Sequence, residues 1–249
     1  MKLRNLIILG VCSIIVFAIL FLPASLLWRA ASGSLAGLPL QVERVGGRVW
    51  DGYAVANLRN PALRGPVVID WDLKALRLIL GEVRLGLRVE GQAFQLTGDA
   101  FTGLWGKGAN DLNGDIQARM LDQMLREFGV SAGGALKVNQ VGFNISGNRV
   151  SSAEGQITWG GGMVTAPGRG RSNPIDFPPV KGELSENEGN LMLAFTETKG
   201  NKSLGELGLL LENGVASVKV LQRVLRLAGM EASGSDDKVL VNMQQPLPF

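Results

Sequence analysis

Hydrophobic positions change their rhythm along this chain of 249 residues, and each rhythm predicts a different element. From Asn5 to Trp28 the run "NLIILGVCSIIVFAILFLPASLLW" carries no formal charge. As a helix it would extend about 36 Å, enough to cross a hydrocarbon core of about 30 Å with some tilt. Pro23 falls near its far end, and Trp28 and Arg29 suit a headgroup region. The run is longer than the apolar part of a cleavable leader, so the reading is an uncleaved anchor. Lys2 and Arg4 lean towards a cytoplasmic N-terminus, although Arg29, Arg44 and Arg48 follow closely on the other side. The chain is therefore divided into a short N-terminus with a membrane anchor, residues 1–29, and a β-rich domain, residues 30–249.

After the anchor the period falls to two. In "VVIDWDL", Val67, Ile69, Trp71 and Leu73 alternate with Val68, Asp70 and Asp72. In "EVRLGLRVEG", Val83, Leu85, Leu87 and Val89 alternate with Glu82, Arg84, Arg88 and Glu90. Val141, Phe143 and Ile145, then Gly155, Ile157 and Trp159, then Leu191, Leu193 and Phe195 repeat the pattern. Such alternation predicts half-buried, mostly antiparallel strands. "SGN" at 146–148, "SENEGN" at 185–190 and "ENG" at 212–214 predict the turns between them. Two segments change to a helical period. "DIQARMLDQMLREFG" spaces Ile116, Met120, Met124 and Phe128 by four, with Asp115 as cap and Gly129 as stop. "VASVKVLQRVLRLAG" places Val218, Leu221, Leu225 and Ala228 on one face before Gly229. The stretch 165–179, with four prolines and Arg169 and Arg171, reads as a solvated loop. The fold expected is mainly β: one N-terminal transmembrane helix, then a largely antiparallel, curved sheet with one or two amphipathic helices.

Composition narrows the function. Hydrophobic residues make up 46% and the 34 glycines suit a protein of many turns. Removing Lys2, Arg4 and Arg29 from the 25 basic residues leaves 22 against 22 acidic ones, so the main domain has no net charge to draw a polyanion. No basic stripe points to nucleic acid. The chain has no histidine, and its single cysteine, Cys12, lies in the apolar run. A Ser–His pair, a disulfide and a cysteine-rich metal site are thus excluded. Asp70 and Asp72, two apart on one strand face, read as solvated. No catalytic residue, cofactor or metal site is assigned.

One sequence feature recurs. "RVWDG" pairs Trp50 with Gly52, "GLWGKG" pairs Trp105 with Gly106, and "ITWGGG" pairs Trp159 with Gly160. Recurrence at strand ends predicts a structural corner, in which the tryptophan caps the core and the glycine admits a turn. Trp50, Gly52, Trp71, Trp105 and Trp159 are accordingly candidates for structural or partner-contact positions.

The anchor, "VGGRVWDGYA" soon after it, "IDWDLKAL" some twenty residues on and the late "GNLMLAF…LGELGLLLENG" resemble the type II secretion system protein N family over nearly the whole chain. The resemblance implies a single-pass inner-membrane protein of a Gram-negative bacterium with its bulk in the periplasm. It implies a non-enzymatic accessory role in the export of folded proteins, through contacts with a secretin or with inner-membrane platform subunits. Membrane lipid would be met through the N-terminal helix. The amphipathic strands are also similar to those of AsmA-type proteins, which implies an alternative: a groove that holds lipid. An envelope enzyme working without histidine or cysteine is the third class considered.

Overall fold

Most strands pair with the strand before them in the chain, and most of those pairings close a short hairpin. The computed structural model describes residues 21–31, 40–58, 65–118, 131–165, 174–212, 214–229 and 234–246. The chain divides into two compact units between Gln92 and Ala93.

In the first unit, strands β1 (Leu40–Gly47), β2 (Asp51–Leu58), β3 (Pro66–Leu73) and β4 (Glu82–Gly91) form an antiparallel meander in that order. The alternation expected for "VVIDWDL" is observed: Val67 is buried, Ile69, Trp71 and Leu73 are half-buried, and Asp70 and Asp72 are exposed. Ala54, Ala56 and Val67 are the buried apolar residues of its sheet. A short helix α1 (Ala24–Ala31) precedes the sheet, and a single turn α2 (Ala75–Leu78) joins β3 to β4. Helix α1 starts directly after Pro23, which forms an isolated antiparallel bridge with Arg48. The Val49 amide donates to the Leu22 carbonyl at 3.0 Å. The far end of the expected anchor is more than a kink: Leu22 and Pro23 lie outside any helix, and Ala24 and Trp28 of α1 face the sheet. Among the described residues no helix is long and apolar enough to cross a membrane, and residues 5–20 of the expected anchor lie outside them.

In the second unit the main antiparallel order is β5 (Phe94–Gly103), β6 (Gly106–Gln117), β8 (Ala135–Ser146), β9 (Arg149–Trp159), β12 (Val180–Asn187), β13 (Asn190–Glu197), β14 (Ser203–Leu210), β15 (Val215–Leu221) and β16 (Val239–Pro246). A small sheet sets β10 (Gly162–Thr165) between β11 (Pro174–Phe177) and β7 (Ser131–Ala132). The pairs β6–β8, β9–β12 and β15–β16 are joined by longer segments. The turn in "SENEGN" closes β12 on β13 with Glu188 and Gly189 at φ 53° and 85°. Two successive positive φ values match the right-handed twist of the flanking strands.

A line of irregularities crosses β5, β6, β8 and β9. Register shifts fall at Thr97/Asp99, at Ala109/Leu112 and at Asn139/Gly142. Asp111 and Gln140 take φ of 51° and 48° there, and the Gln140 amide donates to Asn113 Oδ1 at 2.8 Å. Bulges stacked across neighbouring strands bend and twist the sheet along that line.

Two helix expectations are corrected. Asp115, Ile116 and Gln117 belong to β6, paired with β5 and β8, so Asp115 caps no helix; residues 119–130 lie outside the described residues. Val215–Leu221 is strand β15, and only Arg223–Leu227 (α3) is helical. Val215, Val218 and Val220 are β-branched, and β14 and β16 flank β15 on both sides, so sheet pairing overrides the helical spacing. The expected loop 165–179 is also reduced, because Pro174–Phe177 pairs with β10. Residues 166–173 of that loop lie outside the described residues.

The sheets close tightly where glycines face a neighbouring backbone. A Cβ on Gly108 would run into the Phe143 carbonyl of β8, although its φ is ordinary. Gly108→Ala is expected to destabilise the fold by about 1–3 kcal/mol, the cost of overpacking. Gly160→Ala, which meets nothing within 4 Å, should stay within about 0.5 kcal/mol. Urea midpoints followed by tryptophan fluorescence check both, and equal midpoints would show that β6 and β8 part without cost.

Candidate functional site

The motif "GGRVWDGYA" forms the β1–β2 hairpin and its loop. Gly47 pairs with Gly52 and Gly46 with Tyr53, and the Arg48 amide donates to the Asp51 carbonyl at 2.7 Å. Gly47 takes φ 80°, so a left-handed residue starts the turn. The Trp71 ring covers Gly52: a Cβ there would sit 2.5 Å from Trp71 Cζ2. Trp71 Nε1 donates to the Val49 carbonyl at 3.1 Å, which ties β3 to the hairpin loop. The Trp50 carbonyl accepts from the Leu73 amide at 2.6 Å. Trp50, Gly52 and Trp71 are thus brought together at one end of the meander.

The same end carries an apolar cavity of about 380 Å³. Val45 and Val49 come from β1 and its loop, Trp71 and Leu73 from β3, and Val83 and Leu85 from β4. Ala24 and Trp28 of α1 and Leu78 of α2 complete the lining. No titratable group lines it, so it offers dispersion contact and water exclusion rather than acid–base chemistry. Around it the surface stays apolar: Leu76 is 81%, Ile79 82% and Leu80 65% exposed. Phe21 and Leu26 are exposed as well, and the Arg48 guanidinium stands 5.0 Å from the Phe21 ring centroid. The ion pair Lys74–Asp72 at 2.7 Å lies in solvent nearby and adds little stability.

The Leu76–Leu80 cluster was not among the residues singled out from sequence. Its signal is plain afterwards: "LRLIL" places four apolar residues in five between two strands, where a turn should be polar. Alternation searches pass over it because it belongs to neither strand.

The other two tryptophan–glycine pairs build different structures in the second unit, so the three are not one repeated corner. Leu104 and Trp105 are the tip of the β5–β6 hairpin, and Trp105 is 84% exposed. Trp105 therefore caps no core, a correction to the expected role: a two-residue hairpin tip projects its side chains beyond the last pair, Gly103 and Gly106. Trp159 ends β9, donates Nε1 to the Gly133 carbonyl at 2.9 Å and lies 5.7 Å from the Phe177 ring. Gly161 and Gly162, at φ 80° and 145°, then turn the chain out of the main sheet into β10.

A polar hollow of about 500 Å³ opens on the bulged line, lined by groups that include Asn110, Asp111, Asn139, Gln140 and Glu154. Its lining has amides and carboxylates but no nucleophile beside a base, so it offers no recognisable reaction.

These placements separate the tryptophans by stability. Trp71→Ala should cost about 3–5 kcal/mol through the cavity left beside Gly52. Trp71→Phe, which keeps a ring and loses the bond to Val49, should cost about 1 kcal/mol beyond its volume change. Trp105→Ala should fall within about 0.5 kcal/mol of the unaltered protein. Denaturation midpoints of the three variants decide, and a large loss at Trp105 would contradict its exposed position.

No curated protein and no solved structure gives a significant match to this chain. Residues 39–249 match the family model described as Type II secretion system (T2SS), protein N. That match covers far more than half of the chain and both units: the protein belongs to the type II secretion system protein N family, accessory components of that export machinery.

Proposed function

We propose that this protein is a non-enzymatic, membrane-anchored docking component of a type II secretion machine. It is held in the inner membrane of a Gram-negative bacterium by its N-terminal apolar segment, with the bulk of the chain in the periplasm. Since Leu22 and Pro23 lie outside any helix, the proposed span shortens to residues 5–21, about 26 Å as a helix and still near the hydrocarbon thickness. The role in export supports subunit contacts, and a secretin or an inner-membrane platform protein is the partner class proposed.

The observation that carries the docking reading is the edge strand β16. Among the described residues it is paired on one side only, by β15, and it exposes Val239, Leu240 and Met243. A long, open and partly apolar edge is a template for strand addition by another β domain. Its own sheet holds it through the β15 ladder, and the turn that leads into it is tied down by Arg223, whose guanidinium donates to the Ser203 carbonyl at 2.7 Å and to Asp237 at 2.8 Å. Trp50, Trp105 and Trp159 remain proposed contact positions of the same kind.

The test is photo-crosslinking in intact secreting cells, with the reactive residue at Leu240, Met243, Trp50 or Phe195. Adducts to a secretin or an inner-membrane secretion subunit are expected at Leu240 and Met243. Adducts made only with phospholipid would overturn docking and return the reading to a lipid groove. Deletion of the gene is expected to leave exported proteins in the periplasm, and unimpaired export would count against the role.

A further inference from the structure

We infer that Leu76 to Leu80, from α2 and the two residues after it, are a membrane-seated foot that inserts into the bilayer surface beside the anchor. The inference rests on the proposed anchoring through residues 5–21. Its geometry comes from the way the chain leaves that segment. There is no linker between the apolar run and the folded unit: the Leu22 carbonyl accepts from the Val49 amide at 3.0 Å, and Pro23 bridges Arg48. A chain advances at most about 3.6 Å per residue, so the hairpin loop at Arg48–Trp50 stands within a few ångströms of Phe21. Val49 and Leu78 line one cavity, which places the α2 turn at the same end of the meander. A bilayer entered at Phe21 must therefore meet this end of the sheet.

The chemistry of that end suits a membrane rather than water. Leu76, Ile79 and Leu80 are among the most exposed large apolar residues described, and they are nearly consecutive. A monomer in water seldom leaves such a cluster uncovered. Arg77 within it and Arg48 over the Phe21 ring are exposed cations, able to lay their stems on apolar surface while their heads meet phosphate. Trp28 and Trp71 lie just behind, the residue type that favours the headgroup level. The opposite end differs. Strand β4 runs ten residues from Glu82 to Gly91, so Gln92 is about 30 Å away from the foot, and it is exposed and polar.

The full-length chain with Cys12→Ser and one new cysteine, Ile79→Cys, Leu80→Cys or Gln92→Cys, carries an environment-sensitive fluorophore. Each is reconstituted in phosphatidylethanolamine–phosphatidylglycerol vesicles with or without shallow doxyl-labelled lipid, and carbonate extraction tests the anchor separately. Expected are carbonate resistance, blue-shifted emission at 79 and 80 with about a twofold loss to doxyl lipid, and neither effect at 92. Carbonate resistance with unquenched labels at 79 and 80 overturns the foot and leaves the anchor standing. Extraction with quenched labels supports the foot and overturns the anchor, and extraction without quenching overturns both. In native membranes, labels at 79 and 80 shielded from a water-soluble quencher but unquenched by doxyl lipid would mean a protein partner covers them, which also overturns the foot. Because these side chains project into solvent, Ile79→Asp with Leu80→Asp should fold normally and lose the doxyl effect at a label on Leu76→Cys.

Discussion

Backbone pairing between chain neighbours is the interaction on which this protein depends. Its apolar interior is thin: among the described residues no large side chain is fully buried, and the buried apolar positions are mostly alanine and valine. Side-chain burial at about 25 cal/mol per Å² therefore has less area to act on than in a domain of two thick layers. The strand ladder supplies the order instead. Each bond contributes only about 1 kcal/mol net, but an unmade one at a covered position costs more than that. Glycines let adjacent strands approach where a side chain would hold them apart, as Gly108 does against β8 and Gly114 against β5. Local pairing also keeps loop-closure entropy small, since most strands meet the one before them.

This construction leaves surface available for work. Half-buried apolar residues on sheet faces, an open edge at β16 and a bare turn at α2 are the surfaces such a thin fold offers among the described residues. The family's part in export is an accessory one, and the chain carries no histidine for acid–base chemistry near neutral pH. The apolar cavity behind Trp28 fits the same logic. Its lining seats α1 against the sheet, and Trp71 braces β3 to the loop whose Val49 amide holds Leu22.

The alternation of β3 was legible in sequence, because a face that is dry on one side imposes a period of two, whereas β4 exposes Val83 and half-buries Glu82, Arg84 and Glu90. The turn in "SENEGN" was legible for a local reason as well: a polar pair ending in glycine can take two positive φ values. The failures share a cause. Val218, Leu221 and Leu225 have helical spacing, yet Val215–Leu221 lies between two strands that satisfy its backbone, a fact no local window contains. Asp115 sits before a helical pattern, but β5 and β8 claim it for β6. Within the candidate site, Trp50, Gly52 and Trp71 were named from their motif, whereas the contact of the Trp71 ring with Gly52 depends on a register that sequence does not display. Leu76, Ile79 and Leu80 carry no periodic signal, since the five residues 76–80 between two strands are too few to set a helical or strand period. Three tryptophan–glycine pairs looked alike and folded as a hairpin loop, a hairpin tip and a strand exit. The dipeptide records where a strand stops, and the pairing partner decides where the chain goes next.

The stitched exit at Leu22 also constrains how such a component can serve a machine. A flexible linker would let the folded unit sample many heights and tilts above a membrane, diluting any edge it presents to a partner. A carbonyl held by Val49 and a proline bridged to Arg48 remove that freedom within two residues of Phe21. The strands of the first unit then become a ruler. On the proposed anchoring, one end is set by the chain's exit, and the far end of β4 would stand up to about 30 Å beyond it, past the headgroups. Stiffness here has a functional reason: fixing a docking surface in advance reduces the entropy lost when a partner binds, which a thin fold with modest contact area needs.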